Sequence, residues 1–133
     1  MAKKILEYEG VRTAALCFYF VTDQKIQSLN KRFLHHDYAT DIITFDLKSS
    51  SKHPSRKLKN SKVLDGEIVI STDTALKNSR SFKTAISQEI LLYIAHGILH
   101  LLGYNDQTAQ DIKRMREKEN ELIEALIKRL TLK

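Results

Sequence analysis

Two histidines, a glycine and an aspartate follow one another closely in the chain, in the order His96, His100, Gly103 and Asp106. Residues four apart on a helix share a face, so His96 and His100 can direct two imidazoles at one point. Gly103 can adopt the left-handed conformation that ends a helix and reverses the chain. Asp106 can then return a carboxylate toward the same point. Three protein ligands beside an open fourth position are typical of a catalytic zinc site, and Ni, Co, Fe and Mn accept similar ligands.

Each of these residues also has an interpretation without a metal. His96 and His100 can be ordinary core or surface histidines, and Asp106 can cap the helix that follows it. Glu89, two helical turns before His96, can hydrogen-bond toward the site or be a solvated glutamate near the helix start. The added glycine and acid favour a metal. No side chain is assigned a catalytic role. The expected reactive group is a water molecule that the metal would polarise.

The elements that must position these residues alternate between strand and helix patterns. β-Branched and aromatic runs predict strands, and apolar residues at helical spacing predict helices. A break is expected at Asn78–Ser81, and Thr108 with Asp111 resembles a capping box. The predicted strands are Ala15–Val21, Asp41–Leu47 and Leu64–Ser71, and the predicted helices are Lys3–Tyr8, Gln24–Leu34, a turn through Ala75 and Leu76, Thr84–Leu102, and a last helix from Thr108.

This order predicts an α+β fold: a small mixed β-sheet of three to four strands packed against helices, with the metal site at the end of a central helix. Residues 1–133 are expected to form a single domain, because the chain is too short for two ordinary ones. No apolar run is long enough to span a membrane. The single cysteine, Cys17, fits a reducing compartment, and the first residues lack an apolar signal core. A cytoplasmic location is therefore expected.

Basic residues are concentrated in the segment 48–63, between two predicted strands. The segment contains no acid, and its serines and Pro54, the only proline, predict a loop or hairpin arm. The net charge of +6 favours an anionic partner, nucleic acid first. A solvated loop without function is the alternative. The residues expected to contact RNA are Arg32 and, in the segment, Lys48, Lys52, Arg56, Lys57, Lys59 and Lys62.

The motif His-Gly-Ile-Leu-His-Leu-Leu-Gly-Tyr at 96–104 resembles the signature of the YbeY family of metal-dependent endoribonucleases. Two further stretches agree, in the family's order: Leu-Asn followed by Thr-Asp-Ile-Ile-Thr-Phe within 29–45, and Asp-Gly-Glu-Ile-Val-Ile-Ser at 65–71. The resemblance implies a compact α+β domain, a zinc ion and cleavage of single-stranded RNA. It also implies a role in ribosome quality control and in ribosomal RNA maturation, chiefly at the 3′ end of the small-subunit RNA, with the small ribosomal subunit as partner.

The sequence departs from the family pattern in four places. The third metal ligand of the family is usually a histidine, and Asp106 occupies that position here. Leu34 replaces an arginine that, by the resemblance, would meet a phosphate; Arg32 and Lys31 are the candidate substitutes. Ala39 replaces a proline, and the family's first strand and most of its first helix are missing or replaced.

Two other functions fit part of the pattern. The spacing from His96 to Asp106 is that of metzincin-like zinc peptidases, which need a glutamate directly after the first histidine as general base. Gly97 stands there and cannot take up a proton. The chain is alternatively a non-catalytic ribosome-assembly or RNA-binding factor with a structural metal, which the loss of the arginine at Leu34 supports. For the favoured endoribonuclease, attack by metal-activated water and internal attack by the ribose 2′-OH both fit the sequence.

Overall fold

The computed structural model describes residues 2–47 and 62–131. Among these residues, three strands and five helices form the α+β fold that the sequence predicts. None of the helices in these ranges combines the length and the hydropathy of a membrane span. The elements are α1 (Ala2–Tyr8), β1 (Val11–Val21), α2 (Asp23–Leu34), β2 (Ile42–Asp46), β3 (Lys62–Ser71), α3 (Thr72–Phe82), α4 (Ile86–Leu101) and α5 (Ala109–Thr131).

β3 is the central strand of the sheet, whose order is β1-β3-β2. β1 runs parallel to β3, with Phe18 opposite Ile68, and β2 runs antiparallel to it, with Thr44 opposite the same isoleucine. Successive side chains of a strand point to opposite faces, and β3 is apolar on both: Ile68 and Ile70 are buried on one face and Val69 on the other. The sheet can therefore pack helices on both sides.

The larger core lies between one face of the sheet and α4. Ile68 of β3 and Ile98 of α4 are fully buried there, and residues of α1, α3 and α5 complete the cluster. Burial of each such side chain stabilises the fold by roughly 1.5–3 kcal/mol. α4 is thus held on several sides and provides a rigid support. On the other face, α2 contributes to a smaller cluster that consists of Ile26, Ile43 and Val69.

The predicted break at Asn78–Ser81 is wrong, because α3 continues through it. The polar residues that suggested the break are hydrogen-bonded inside the fold. The Asn78 side-chain amide donates to the Tyr93 hydroxyl on α4, and the Ser79 hydroxyl donates to the Leu76 carbonyl, both at 2.7 Å. Contacts with α4 and within the helix therefore outweigh a composition that by itself disfavours helix.

Two strands begin earlier than the sequence predicts. β1 begins at Val11 rather than Ala15, and β3 begins at Lys62 rather than Leu64, because the two strands pair in parallel over this extra length. The last two residues of the predicted basic loop therefore belong to β3. The rest of that loop, residues 48–61, lies outside the described residues.

A partly buried carboxylate joins α2 and α3 where the parallel strands end. Oδ1 of Asp23, the first residue of α2, accepts hydrogen bonds from the Ser71 and Thr74 hydroxyls, both at 2.6 Å. Its Oδ2 accepts one from Lys77 Nζ at 2.8 Å. The hydrogen bond from Lys77, followed by those from the two hydroxyls, lowers the pKa of Asp23 to about 2. The charge of this carboxylate therefore stabilises the junction of the two helices.

Asp23→Asn is expected to lower the free energy of unfolding near neutral pH by about 2 kcal/mol, because the folded protein lowers the pKa of Asp23 from 3.8 to about 2. A depressed pKa stabilises the fold above the unfolded-state value, and this contribution is lost as the pH falls toward the folded-state value. Urea denaturation across the acidic range should therefore show the difference between variant and parent shrinking.

The matched control is Asp37→Asn, at a side chain that is 62% exposed. This change should alter the free energy of unfolding by less than about 0.5 kcal/mol, both near neutral pH and in the acidic range. Parent-like stability of the Asp23 variant at neutral pH would contradict a stabilising role for the junction.

Candidate metal centre

Both histidines lie on α4, which begins two residues later than predicted. Gly97 follows His96 and faces the sheet: a Cβ built on it would lie 3.0 Å from Ile68 Cδ1 and 3.2 Å from Ile42 Cδ1. The absence of a side chain lets the helix lie close to β2 and β3. His96 and His100 flank this contact and line a cleft with residues of β2, with side chains that are 25% and 27% exposed.

The three predicted ligands converge. His96 Nε2 and His100 Nε2 are 3.1 Å apart, and Asp106 Oδ2 lies 3.4 Å from His100 Nε2 and 3.9 Å from His96 Nε2. Around a tetrahedral zinc ion with bonds of about 2.0–2.1 Å, neighbouring ligand atoms are about 3.3 Å apart. The two nitrogens and the carboxylate oxygen form a triangle of nearly this size, so the residues fit the ion.

A tight turn after α4 returns the chain toward the histidines. Gly103 has a φ of +105°, which confirms the glycine-dependent helix end. Gly103 N donates to His100 O and Tyr104 N donates to Leu99 O, both at 3.0 Å, which is the hydrogen-bond pattern of a Schellman motif. These bonds fix the direction in which the chain leaves α4, and Asp106 follows three residues after the glycine.

The capping of α5 does not require Asp106. Thr108 Oγ1 accepts from Asp111 N at 3.0 Å, and Thr108 N donates to Asp111 Oδ2 at 3.3 Å, which confirms the predicted capping box. The Asp106 side chain is half exposed and directs Oδ2 at the two imidazoles. Of the two interpretations of Asp106, the geometry favours the metal ligand.

A buried glutamate on α5 holds one of the two rings. Glu119 is 6% exposed, and its Oε1 lies 3.1 Å from His96 Nδ1. When Nδ1–H donates this bond, Nε2 carries no proton and presents its lone pair to the site. Burial lowers the pKa of His96, but the hydrogen bond to Glu119 and the charges of Glu119, Asp106 and Asp41 outweigh it, so the pKa is raised. Glu119 thus orients the imidazole.

Glu89, the acid expected near the site, is hydrogen-bonded at the start of α4, where its Oε1 accepts from the Thr84 hydroxyl at 2.8 Å. It is 6% exposed and is therefore not a solvated glutamate. Glu119 was not predicted, although the sequence contains a signal for it. It falls on the apolar stripe of α5, four residues after Met115 and three before Leu122, both buried. A glutamate on a buried stripe needs a partner inside the fold.

Two clefts meet at His96 and Asp41. The first, of about 290 Å³, lies toward α5 and is bordered by Arg116. The second, of about 380 Å³, lies between β2 and the end of α4 and is bordered by Leu34 and Asp106. An extended ligand that passed from one cleft to the other would cross the imidazoles.

Among the basic residues expected to contact RNA, Arg32 lies in the last turn of α2. Its guanidinium is 5.2 Å from the centre of the Phe33 ring. Leu34, two residues after Arg32, borders the cleft between β2 and the end of α4, which is called the metal cleft below. Lys62 is the first residue of β3. The remaining candidates lie outside the described residues; they are Lys48, Lys52, Arg56, Lys57 and Lys59.

Comparison with known proteins decides the family. A family model described as Endoribonuclease YbeY matches residues 1–127. The chain belongs to the YbeY family of metal-dependent endoribonucleases. The Endoribonuclease YbeY of Parabacteroides distasonis is 36% identical over 124 residues, covering 93% of this chain and 80% of the relative. That of Bacteroides thetaiotaomicron is 36% identical over 121 residues, covering 91% and 80%.

A solved structure has a similar fold. It is the solution structure of a Thermotoga maritima protein, which matches with a TM-score of 0.61 and 26% sequence identity, over 92% of this chain and 75% of that one. The YbeY resemblance that the histidine motif indicated is thus confirmed. Within the YbeY frame, the candidate metal group of this chain consists of His96, His100 and Asp106.

Glu119→Gln should weaken zinc binding by about 10- to 100-fold, because the His96 ring loses the charged acceptor that orients it. Competition against a chromophoric chelator would measure the affinity without reference to activity. Glu124→Gln is the matched control, since it removes the same charge from an exposed position of the same helix. Parent-like zinc affinity in a folded Glu119 variant would contradict the orienting role.

Proposed function

We propose that this chain is a zinc-dependent endoribonuclease that cleaves single-stranded RNA, with the metal held by His96, His100 and Asp106. The observation that carries the proposal is the convergence of these three ligand atoms, 3.1–3.9 Å apart, in a chain of the YbeY family. We further propose a cytoplasmic role in ribosomal RNA maturation, at the 3′ end of the small-subunit RNA, and in ribosome quality control.

Each side chain around the site either binds the metal, orients a ligand or offers a charge to the RNA. The metal is bound by His96, His100 and Asp106. The Glu119 carboxylate keeps the His96 ring in its metal-binding orientation. Zinc supplies Lewis-acid chemistry when bound: it stabilises negative charge on a phosphoryl oxygen and lowers the pKa of water. Arg116, on the border of the adjoining cleft, offers a positive charge to the RNA backbone.

The position of Gly97 argues against a peptidase. The general base of such an enzyme would be a glutamate at this position. A Cβ there would already lie 3.0–3.2 Å from Ile68 and Ile42. A longer, charged side chain would have to displace apolar residues of the sheet and would leave a carboxylate in the core.

A non-catalytic RNA-binding factor is the second candidate. It is favoured by Leu34, which borders the metal cleft where the family pattern has an arginine. This factor would bind metal and RNA and would not cleave. Metal content and cleavage, measured on the same samples, separate the two functions.

His100→Ala should reduce the metal content from one zinc per chain to nearly none, because two ligands hold the ion poorly. RNA cleavage should fall by more than about 100-fold. This loss exceeds the one expected when a residue that only hydrogen-bonds to a metal ligand, such as Glu119, is replaced. Elemental analysis and a gel assay on single-stranded RNA would measure the two effects. His36→Ala, at an exposed histidine outside both clefts, should preserve both. Equal residual cleavage in parent and His100→Ala would point to a contaminating nuclease or to the non-catalytic factor.

Replacing Lys52, Arg56, Lys57 and Lys59 with serine should weaken RNA binding. The salt dependence should also become shallower, by about 0.7 in the log–log slope for each phosphate that the variant no longer neutralises. Fluorescence anisotropy at several salt concentrations would measure both quantities. The matched control removes the same charge from four exposed sites outside the clefts: Lys3, Arg80, Lys83 and Lys113. Equal affinity and equal slope in both variants would remove the basic segment from the RNA-binding surface.

A further inference from the structure

The face of the sheet that α2 covers remains open at one end, as far as the described residues show. α2 packs on this face through Ile26. Beyond it, Tyr19 of β1, Phe45 of β2 and Glu67 of β3 line a cavity of about 430 Å³. A cavity of this size falls in the range of small-molecule sites. It lies on the opposite face of the sheet from the large core.

Aromatic rings form much of the wall of this cavity. Tyr19 is 46% exposed and Phe33 is 52% exposed. The Phe33 ring packs edge to face against Phe45, with 5.7 Å between the ring centres, which fixes its orientation. Exposed apolar side chains gathered at a cavity mark a binding surface. Flat rings in a basic protein are the surfaces on which the bases of a single strand stack.

Charged groups accompany the rings. Lys25 lines the cavity, and the Arg32 guanidinium lies 5.2 Å from the centre of the Phe33 ring. Glu67 lines it too, close enough to Tyr19 that its negative charge raises the pKa of the tyrosine. The two cations suit the phosphates of a strand, and a carboxylate can accept hydrogen bonds from the exocyclic amino group of a base.

The cavity adjoins the metal cleft across a single strand. Because side chains alternate along β2, Phe45 lines the cavity while Thr44 lines the cleft that contains His96. The last turn of α2 reaches both, with Phe33 in the cavity and the next residue, Leu34, in the cleft. β2 is an edge strand of the described sheet. A flexible ligand can therefore occupy both places by turning around this edge.

We propose that the cavity formed by Tyr19, Phe33 and Phe45 binds a nucleobase of the RNA strand whose phosphate lies at the metal centre. This assignment rests on the endoribonuclease function proposed above and adds a base-binding subsite to it. The strand turns around the edge of β2, with its phosphates facing Arg32 and Lys25 and a base stacked against the rings. A base fits better than an aliphatic side chain of a protein, because both cations and a carboxylate border the aromatic wall.

Tyr19→Leu and Phe33→Leu test this proposal, since leucine keeps the wall apolar and removes the flat ring. A short fluorescent single-stranded RNA that resists cleavage, with 2′-O-methyl riboses and phosphorothioate linkages, and the same RNA with abasic sites are titrated with the zinc-loaded protein, and a gel verifies that both stay intact. The parent should prefer the RNA with bases by about tenfold. Each variant should lose most of that preference.

Phe20→Leu is the matched control. Phe20 lies on the same strand and is 54% exposed, but its side chain points to the opposite face of the sheet. This variant should keep the parental preference for bases and the parental cleavage of RNA. Circular dichroism and thermal unfolding of all three variants would establish that each is folded.

An unchanged preference for bases in both cavity variants would overturn the proposal, while cleavage by the parent would leave the endoribonuclease function standing. A parent that neither bound nor cleaved RNA would refute that function as well. Sedimentation tests for another occupant: dimers that form in the parent and are absent in both cavity variants, with unchanged base preference, would assign the aromatic wall to a second copy of this chain.

Discussion

The close contact between α4 and the sheet is the constraint on which the site depends. Two glycines permit it, one on each partner. A Cβ on Gly97 would meet Ile68 and Ile42 at 3.0–3.2 Å, and a Cβ on Gly66 of β3 would lie 2.9 Å from Leu101 Cδ2 of α4. A bulkier residue at either place would force the helix away from the strands. Because the histidines flank Gly97 in the chain, this contact also fixes where their rings emerge.

The rest of the site is built on this fixed helix by successive local steps. The glycine turn sets the exit of the chain, and Thr108, two residues after Asp106, caps α5, which begins at Ala109. α5 then packs back on α4 and brings Glu119 to the ring of His96. Side chains held by packing lose little further freedom when they bind an ion, so preorganisation favours metal affinity.

Features that depend on neighbours within a few residues could be predicted from the sequence. The paired histidines, the glycine at the helix end and the Thr108 cap are of this kind, and the α+β order of elements followed from periodicity. The role of Glu119 could not be derived in this way, because its partner lies 23 residues away on another helix. The false break in α3 has the same cause, since Asn78 is satisfied by Tyr93 of α4. The cavity beneath α2 likewise depends on how far a helix extends over a sheet.

Two departures from the YbeY pattern act in the same electrostatic direction. In the proposed site, an aspartate in place of a histidine ligand adds a negative charge, and Leu34 removes a positive charge from the cleft between β2 and the end of α4. Both weaken the attraction of the centre for a phosphate. Of the described cations, Arg116 borders the cleft toward α5, and Lys25 and Arg32 lie at the aromatic cavity. These side chains are exposed, and exposed charges act through solvent and are screened within about 10 Å at 0.1 M salt. Stacking is not screened, so an aromatic subsite beside the cleft is the kind of contact that would hold RNA in register at physiological ionic strength.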